Sequence, residues 1–234
     1  MPQAVTNADN PLLTIFGGSF NPVHLGHVRL AVEILEMLNP ARFDILPSAH
    51  PPHKGKHQIL PFALRVKLLH AATRGIPKVF VNTMENERST PSFTAETLRI
   101  YAAKEPSYRL AFIIGAEDFS LIHSWRDWQS LPHFADIVVV PRAESGCVIF
   151  NETVRTLWPE SASIPPPCPA VNTAWALPGC PNAGRFLYLP LPRLDIRAEL
   201  IRKRLQERRS IRFLVPDAVY DILQNHPEAN ALWK

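Results

Sequence analysis

The sequence predicts an α/β fold: a doubly wound, mostly parallel sheet with helices on both faces and a small C-terminal helical region. Three observations carry this expectation. Short apolar runs alternate with stretches of helical period along the 234-residue chain, the order that builds strand–helix–strand crossovers. The strand candidates LLTIF, RLAFII and DIVVV are near-continuous apolar runs, as expected of strands covered on both faces. At 46% apolar and 20% charged residues, the composition suits a chain that buries a sizeable core and argues against wholesale disorder. The whole chain, 1–234, is expected to form a single domain.

The elements follow in order. Residues 12–16 form an apolar run ending in Gly17 and Gly18, a buried strand feeding a tight loop. Over 25–38, Leu25, Val28, Ala31, Leu35 and Leu38 share one helical face, and Asn39-Pro40 stops the helix. A second strand is expected over 42–46, then a loop through PSAHPPHKGKHQ. Helical period returns over 62–73 and 94–103, with a short strand at 79–82 between them. Strands at 109–114 and 136–140 follow, a last strand over 186–189, and helices over 195–207 and 217–224. In such a sheet, ligands bind at the carboxyl ends of the strands.

Prolines number 24 against only 9 glycines, and ten of the prolines fall between 141 and 192. Residues 143–185 show no sustained period and read as a Pro-rich loop or insertion. The net charge of +4 is concentrated between 193 and 212, where eight Lys/Arg meet three Asp/Glu. This basic run has only Phe213 at its edge, so it lacks the interleaved aromatics of a nucleic-acid surface, and no nucleic-acid partner is expected. No apolar run reaches 18 residues, so no membrane partner is expected. The first residues lack the pattern of a secretory signal. Three cysteines without paired spacing point to a reduced, cytoplasmic protein without structural zinc.

The most informative segment is GGSFNPVHLGH, residues 17–27. Glycines directly after a buried strand let backbone N–H groups approach a phosphate, and the following helix offers its N-terminus to an anion. His24 and His27, three apart, share one face of that first turn. Gly26 between them keeps that face low enough for a nucleotide. The string is neither GxxxxGK[ST] nor GxGxxG. His50, His53 and His57 form a loop cluster without a suitably spaced carboxylate, and no metal site is assigned.

This string resembles the signature of the nucleotidyltransferases with the His-x-Gly-His motif, and specifically the bacterial nicotinate-nucleotide adenylyltransferases. PPHK at 51–54, LRVKLLHAA at 64–72, PSFTAETLR at 91–99, IIGAEDFSLIHSWRDWQSL at 113–131 and IRKRLQERRSIRFLVPDAVYDIL at 201–223 resemble further blocks of that family, in the right order. The resemblance implies a Rossmann-like nucleotidyltransferase domain. It also implies adenylyl transfer from ATP to nicotinate mononucleotide, giving nicotinate adenine dinucleotide and pyrophosphate in NAD biosynthesis.

By the same resemblance, His24, His27, Lys54 and Arg202 are the catalytic candidates. Gly17, Gly18, Ser19, Phe20, His27, Gly115, Glu117, Asp118, Arg197 and Arg202 would bind ATP. Asn21, Lys54, Ser92, Phe93, Thr94 and Trp125 would bind the mononucleotide, with Trp125 stacked on the pyridine ring and Trp128 used in packing; Arg142 joins them from its position after the DIVVV strand, at a carboxyl end. Mg²⁺ would arrive carried by ATP. The mononucleotide's own 5′-phosphate is the nucleophile, and with a second pKa near about 6 it needs no general base. Thr94 has a second reading as the N-cap of its helix. Two positions depart from the family pattern. Glu117, followed by Asp118, stands where the family has Asp, and IRAELIR at 196–202 replaces the usual Ile-Ser-x-Thr-x-Ile-Arg, losing hydroxyls while keeping Arg202. Arg197 is the candidate for compensating charge. Two alternatives stay open: a nicotinamide-mononucleotide adenylyltransferase, or a catalytically weak nucleotide-binding relative. A homo-oligomer is compatible with all of these.

Overall fold

A computed structural model describes residues 10–50, 59–88, 93–141, 145–180, 183–192 and 194–233. The strands are β1 (Leu12–Gly18), β2 (Arg42–Pro47), β3 (Val79–Val81), β4 (Arg109–Gly115), β5 (Asp136–Val140), β6 (Ala162–Ile164), β7 (Thr173–Ala176) and β8 (Arg185–Tyr188). They form one eight-stranded sheet in the order β3-β2-β1-β4-β5-β8-β7-β6. The six strands from β3 to β8 pair in parallel, whereas β6 and β7 add as an antiparallel edge.

Period-two alternation divides the core into two layers. On β4, Leu110, Phe112 and Ile114 enter one apolar cluster, and Ala111 and Ile113 enter the other. Both faces are therefore covered, which explains why the central strands read as unbroken apolar runs. The helices are α1 (Leu25–Leu38), α2 (Phe62–Thr73), α3 (Thr94–Lys104), α4 (Ala116–Ser120), α5 (Leu131–Phe134), α6 (Gly146–Leu157), α7 (Ala198–Gln206), α8 (Asp217–Asn225) and α9 (Pro227–Trp233). Among the described residues, no helix is long and apolar enough to cross a membrane.

Residues 143–185 correct the expectation of an irregular loop. They contain α6, β6 and β7, and Phe150, Val154 and Trp158 are fully integrated in the core. These three are spaced four apart, one buried stripe of a helix. Trp158 stacks on Phe119 at 5.9 Å and meets Phe186 at 4.6 Å, so a proline-flanked segment packs into the core on one face of the sheet. Trp128 packs edge-on against Trp158 at 5.1 Å, in agreement with its assignment to packing. A second correction concerns α3: its N-cap is Phe93, and Thr94 is already helical.

Topology fixes where a ligand can enter. From β1 the chain passes through α1 to β2 on one side, and later returns through α3 to β4 on the other side of β1. The strand order reverses there, opening a crevice beyond the carboxyl ends of β1 and β4.

Candidate active site

A cleft of about 910 Å³ occupies this crevice. Its first part is built by the β1–α1 junction. Gly17 and Gly18 end the strand and line the cleft. A Cβ at Gly18 would stand 3.1 Å from the Phe20 ring. That ring is buried against Phe16 at 5.4 Å and His27 at 5.0 Å, which holds Phe20 at φ 43, an uncommon backbone region for a residue with a side chain. Phe20 therefore shapes the loop from beneath, through packing.

His24 caps α1 with extended backbone. Its ring stacks on that of His27, with centroids 3.6 Å apart and planes 25° apart. The His24 backbone N–H donates to His27 Nδ1 at 3.2 Å. An accepting Nδ1 assigns the proton of the neutral imidazole to Nε2, which becomes the donor nitrogen. Gly26 is required by this stack: a Cβ there would lie 3.1 Å from His24 Nδ1 and 3.5 Å from the Leu194 carbonyl.

Two arginines brace the loop between strand and helix. Arg202 Nη1 donates to the Asn21 carbonyl at 2.9 Å, and its guanidinium also lines the cleft. Burial lowers the Arg202 pKa, with Glu199 opposing the shift. Arg65 is 1% exposed. Its Nη1 donates to the Ser19 carbonyl at 2.8 Å and its Nε to the Leu60 carbonyl at 3.0 Å. Desolvation brings its pKa down to about 10, against the opposing field of Glu85, so it stays a cation at neutral pH. The Leu60 N–H donates to Asn21 Oδ1 at 2.9 Å, so the Asn21 side chain serves the loop's own architecture.

The second part of the cleft comes from α3 and the turn after α4. Phe93 and Thr94 line it, and the Arg126 guanidinium lies 4.9 Å from the Phe93 ring centroid. Trp125 also lines it and meets Phe112 edge-on at 6.4 Å. Between the two parts stand Gly115 and the exposed carboxylate of Asp118. Glu117 does not line the cleft, so of these two neighbours Asp118 is the one presented there. Arg197 lines it as an exposed side chain beside Asp195 at 3.6 Å. It occupies the N-cap position of α7, with no side-chain cap. Lys54, Ser92 and Arg142 lie outside the described residues.

The cytidylyltransferase-like family pattern matches residues 15–204. A Marinobacter nauticus protein named "Probable nicotinate-nucleotide adenylyltransferase" is 37% identical, over 88% of this chain and 90% of its own. The chain belongs to this family. A relative of the same name from Pseudomonas aeruginosa is 33% identical over 91% of this chain and 94% of its own. Among solved structures, the Plasmodium falciparum nicotinic acid mononucleotide adenylyltransferase complexed with APC superposes with a TM-score of 0.65 at 16% identity. It covers 93% of this chain and 97% of its own, and at that identity the likeness speaks for the Rossmann-like fold alone. The fold and family expected from the sequence hold.

Some residues that build the cleft and its loop escaped sequence reasoning. Arg65 had a readable signal: with Leu68, Leu69 and Ala72 at i+3, i+4 and i+7 it lies on the buried stripe of α2, where a charge needs a reason. Of two residues buried in the cleft wall, Glu85 gave none, and Thr97 lay within the PSFTAETLR block without being singled out.

Proposed function

We propose that this nucleotidyltransferase moves the adenylyl group of ATP onto nicotinate mononucleotide, forming nicotinate adenine dinucleotide and pyrophosphate. One oxygen of the mononucleotide's 5′-phosphate attacks the α-phosphorus of ATP. The new O–P bond forms as the bond from that phosphorus to the bridging oxygen of the β-phosphate breaks, and pyrophosphate leaves with the electron pair. The nucleophile is already an anion at neutral pH, so the protein's part is positioning and charge stabilisation. His27 Nε2–H donates to the phosphate oxygens as charge builds in the transition state, and His24 holds that ring in place. Arg202, Arg197 and the Gly17–Ser19 backbone bind the triphosphate. Asp118 takes a ribose hydroxyl, and Gly115 lets the nucleotide approach β4. Trp125 stacks on the pyridine ring, and the α3 N-terminus at Phe93 and Thr94 faces its carboxylate. Lys54 and Ser92 belong to the same scheme through their family blocks, and Arg142 through its position just after β5.

Among the described residues no three of His, Cys, Asp and Glu form a metal cage. The donors facing the cleft suit a Mg²⁺ that would arrive on the triphosphate and would supply charge neutralisation there. The three cysteines are free, in keeping with action in the cytoplasm.

The observation that carries this reading is the stacked His24–His27 pair at the switch point, with His27 Nδ1 committed to backbone. The test is pyrophosphate release from ATP with nicotinate mononucleotide or nicotinamide mononucleotide offered in turn. Release with the acid, several-fold faster than with the amide, is expected. Faster release with the amide would reassign the acceptor, and release with neither would leave a nucleotide-binding relative.

A further inference from the structure

Ser48, Glu85 and Thr97 line the same cleft from three separate stretches of chain, and hydrogen bonds tie them to the loop after β1. The Ser48 N–H donates to the Gly18 carbonyl at 2.8 Å. One residue on, the Ala49 N–H reaches Glu85 Oε2 at 3.4 Å. Glu85 Oε1 accepts the Thr97 hydroxyl at 2.9 Å, and that hydroxyl oxygen accepts Arg88 Nη2 at 2.7 Å.

Each role in this chain is dictated by chemistry. A carboxylate only accepts, a guanidinium only donates, and a hydroxyl alone can do both. Glu85 is 5% and Thr97 1% exposed, so water cannot readily replace a lost partner. Arg88 adds a 3.8 Å ion pair with Glu85. The path thus runs from Gly18, at the end of β1, to the first turn of α3, which presents Phe93, Thr94 and Leu98 to the cleft.

We propose that Thr97 and Glu85 are positioning residues that set the separation between the phosphate loop and α3. They thereby align the mononucleotide's phosphate oxygen for attack while its pyridine ring is held. This rests on the adenylyl-transfer reading above. A ligand gripped at both ends registers a change in that separation at its reacting atom, and a small misplacement there is costly. ATP, bound without α3, does not register it.

The test is steady-state kinetics of Thr97→Val, Thr97→Ser and Glu85→Gln with both substrates varied, each variant checked for folding by circular dichroism. Thr97→Val keeps the branched shape and removes the hydroxyl. It should raise the mononucleotide KM about tenfold and lower kcat, with the ATP KM within about twofold of wild type. Thr97→Ser should recover most of the loss. Glu85→Gln must turn its NH2 toward either the Ala49 N–H or the Thr97 hydroxyl, and should raise the same KM about threefold. It decides the matter if Thr97→Val does not fold. A folded variant whose mononucleotide KM is unchanged, or whose ATP KM rises equally, would overturn the proposal. A wild-type protein that makes no dinucleotide from either mononucleotide would overturn the functional reading instead.

Discussion

The two parts of the cleft are made in different ways. The part proposed to face the phosphates comes largely from one continuous stretch, 17–27, in which strand, loop and helix follow each other directly. Its donors are backbone amides, a histidine held by the adjoining backbone, and Arg202 tied to the Asn21 carbonyl. The part formed by α3 and Trp125 is assembled from pieces far apart in sequence, joined through Glu85 and Thr97. Tertiary hydrogen bonds brace both parts, but only the first is also continuous in sequence. Damage to the first should therefore appear in turnover and ATP binding, and damage to the second in recognition of the mononucleotide.

The largest break in that division is expected from His27→Ala. Removing a donor that acts on developing charge should lower kcat by on the order of 100- to 1,000-fold, with the mononucleotide KM little changed in the same assay. Arg202→Ala should raise the ATP KM on the order of 30-fold, the scale of a hydrogen bond to a charged group. Isothermal titration with a non-hydrolysable ATP analogue would show the same loss. Trp125→Ala should raise the mononucleotide KM about tenfold through lost stacking and leave the ATP KM alone; equal effects on both would erase the distinction between the two parts. Arg197→Ala should have the smallest effect, about threefold on the ATP KM, because its side chain is exposed. An unchanged value would remove Arg197 from the phosphate site.

What could be read from the sequence follows the same division. The strand–loop–helix at 12–38 and its two histidines were legible because their interactions are local and their spacing follows helical period. Trp125, Phe93 and Arg202 were found through blocks resembling a known family, without any periodic signal of their own. The hydrogen bonds of Glu85 and Thr97 were invisible because they join residues 12 and 36 positions apart. Helix α6 was hidden by flanking prolines, although Phe150, Val154 and Trp158 keep a four-residue spacing. The choice between Glu117 and Asp118 depended on the rotational phase of α4, a helix of five residues, too short to display one.

Arg65 adds a consequence that concerns ionic strength. It reaches the phosphate loop through the Ser19 carbonyl rather than through a carboxylate, so the loop rests on a positive charge inside the protein. Mobile ions screen exposed charges over about 8 Å at physiological salt and reach buried ones far less. Added salt should weaken the attraction that exposed Arg197 exerts on a nucleotide, while the contribution from Arg65 persists. Binding of the triphosphate should accordingly fall with salt to a plateau well above zero.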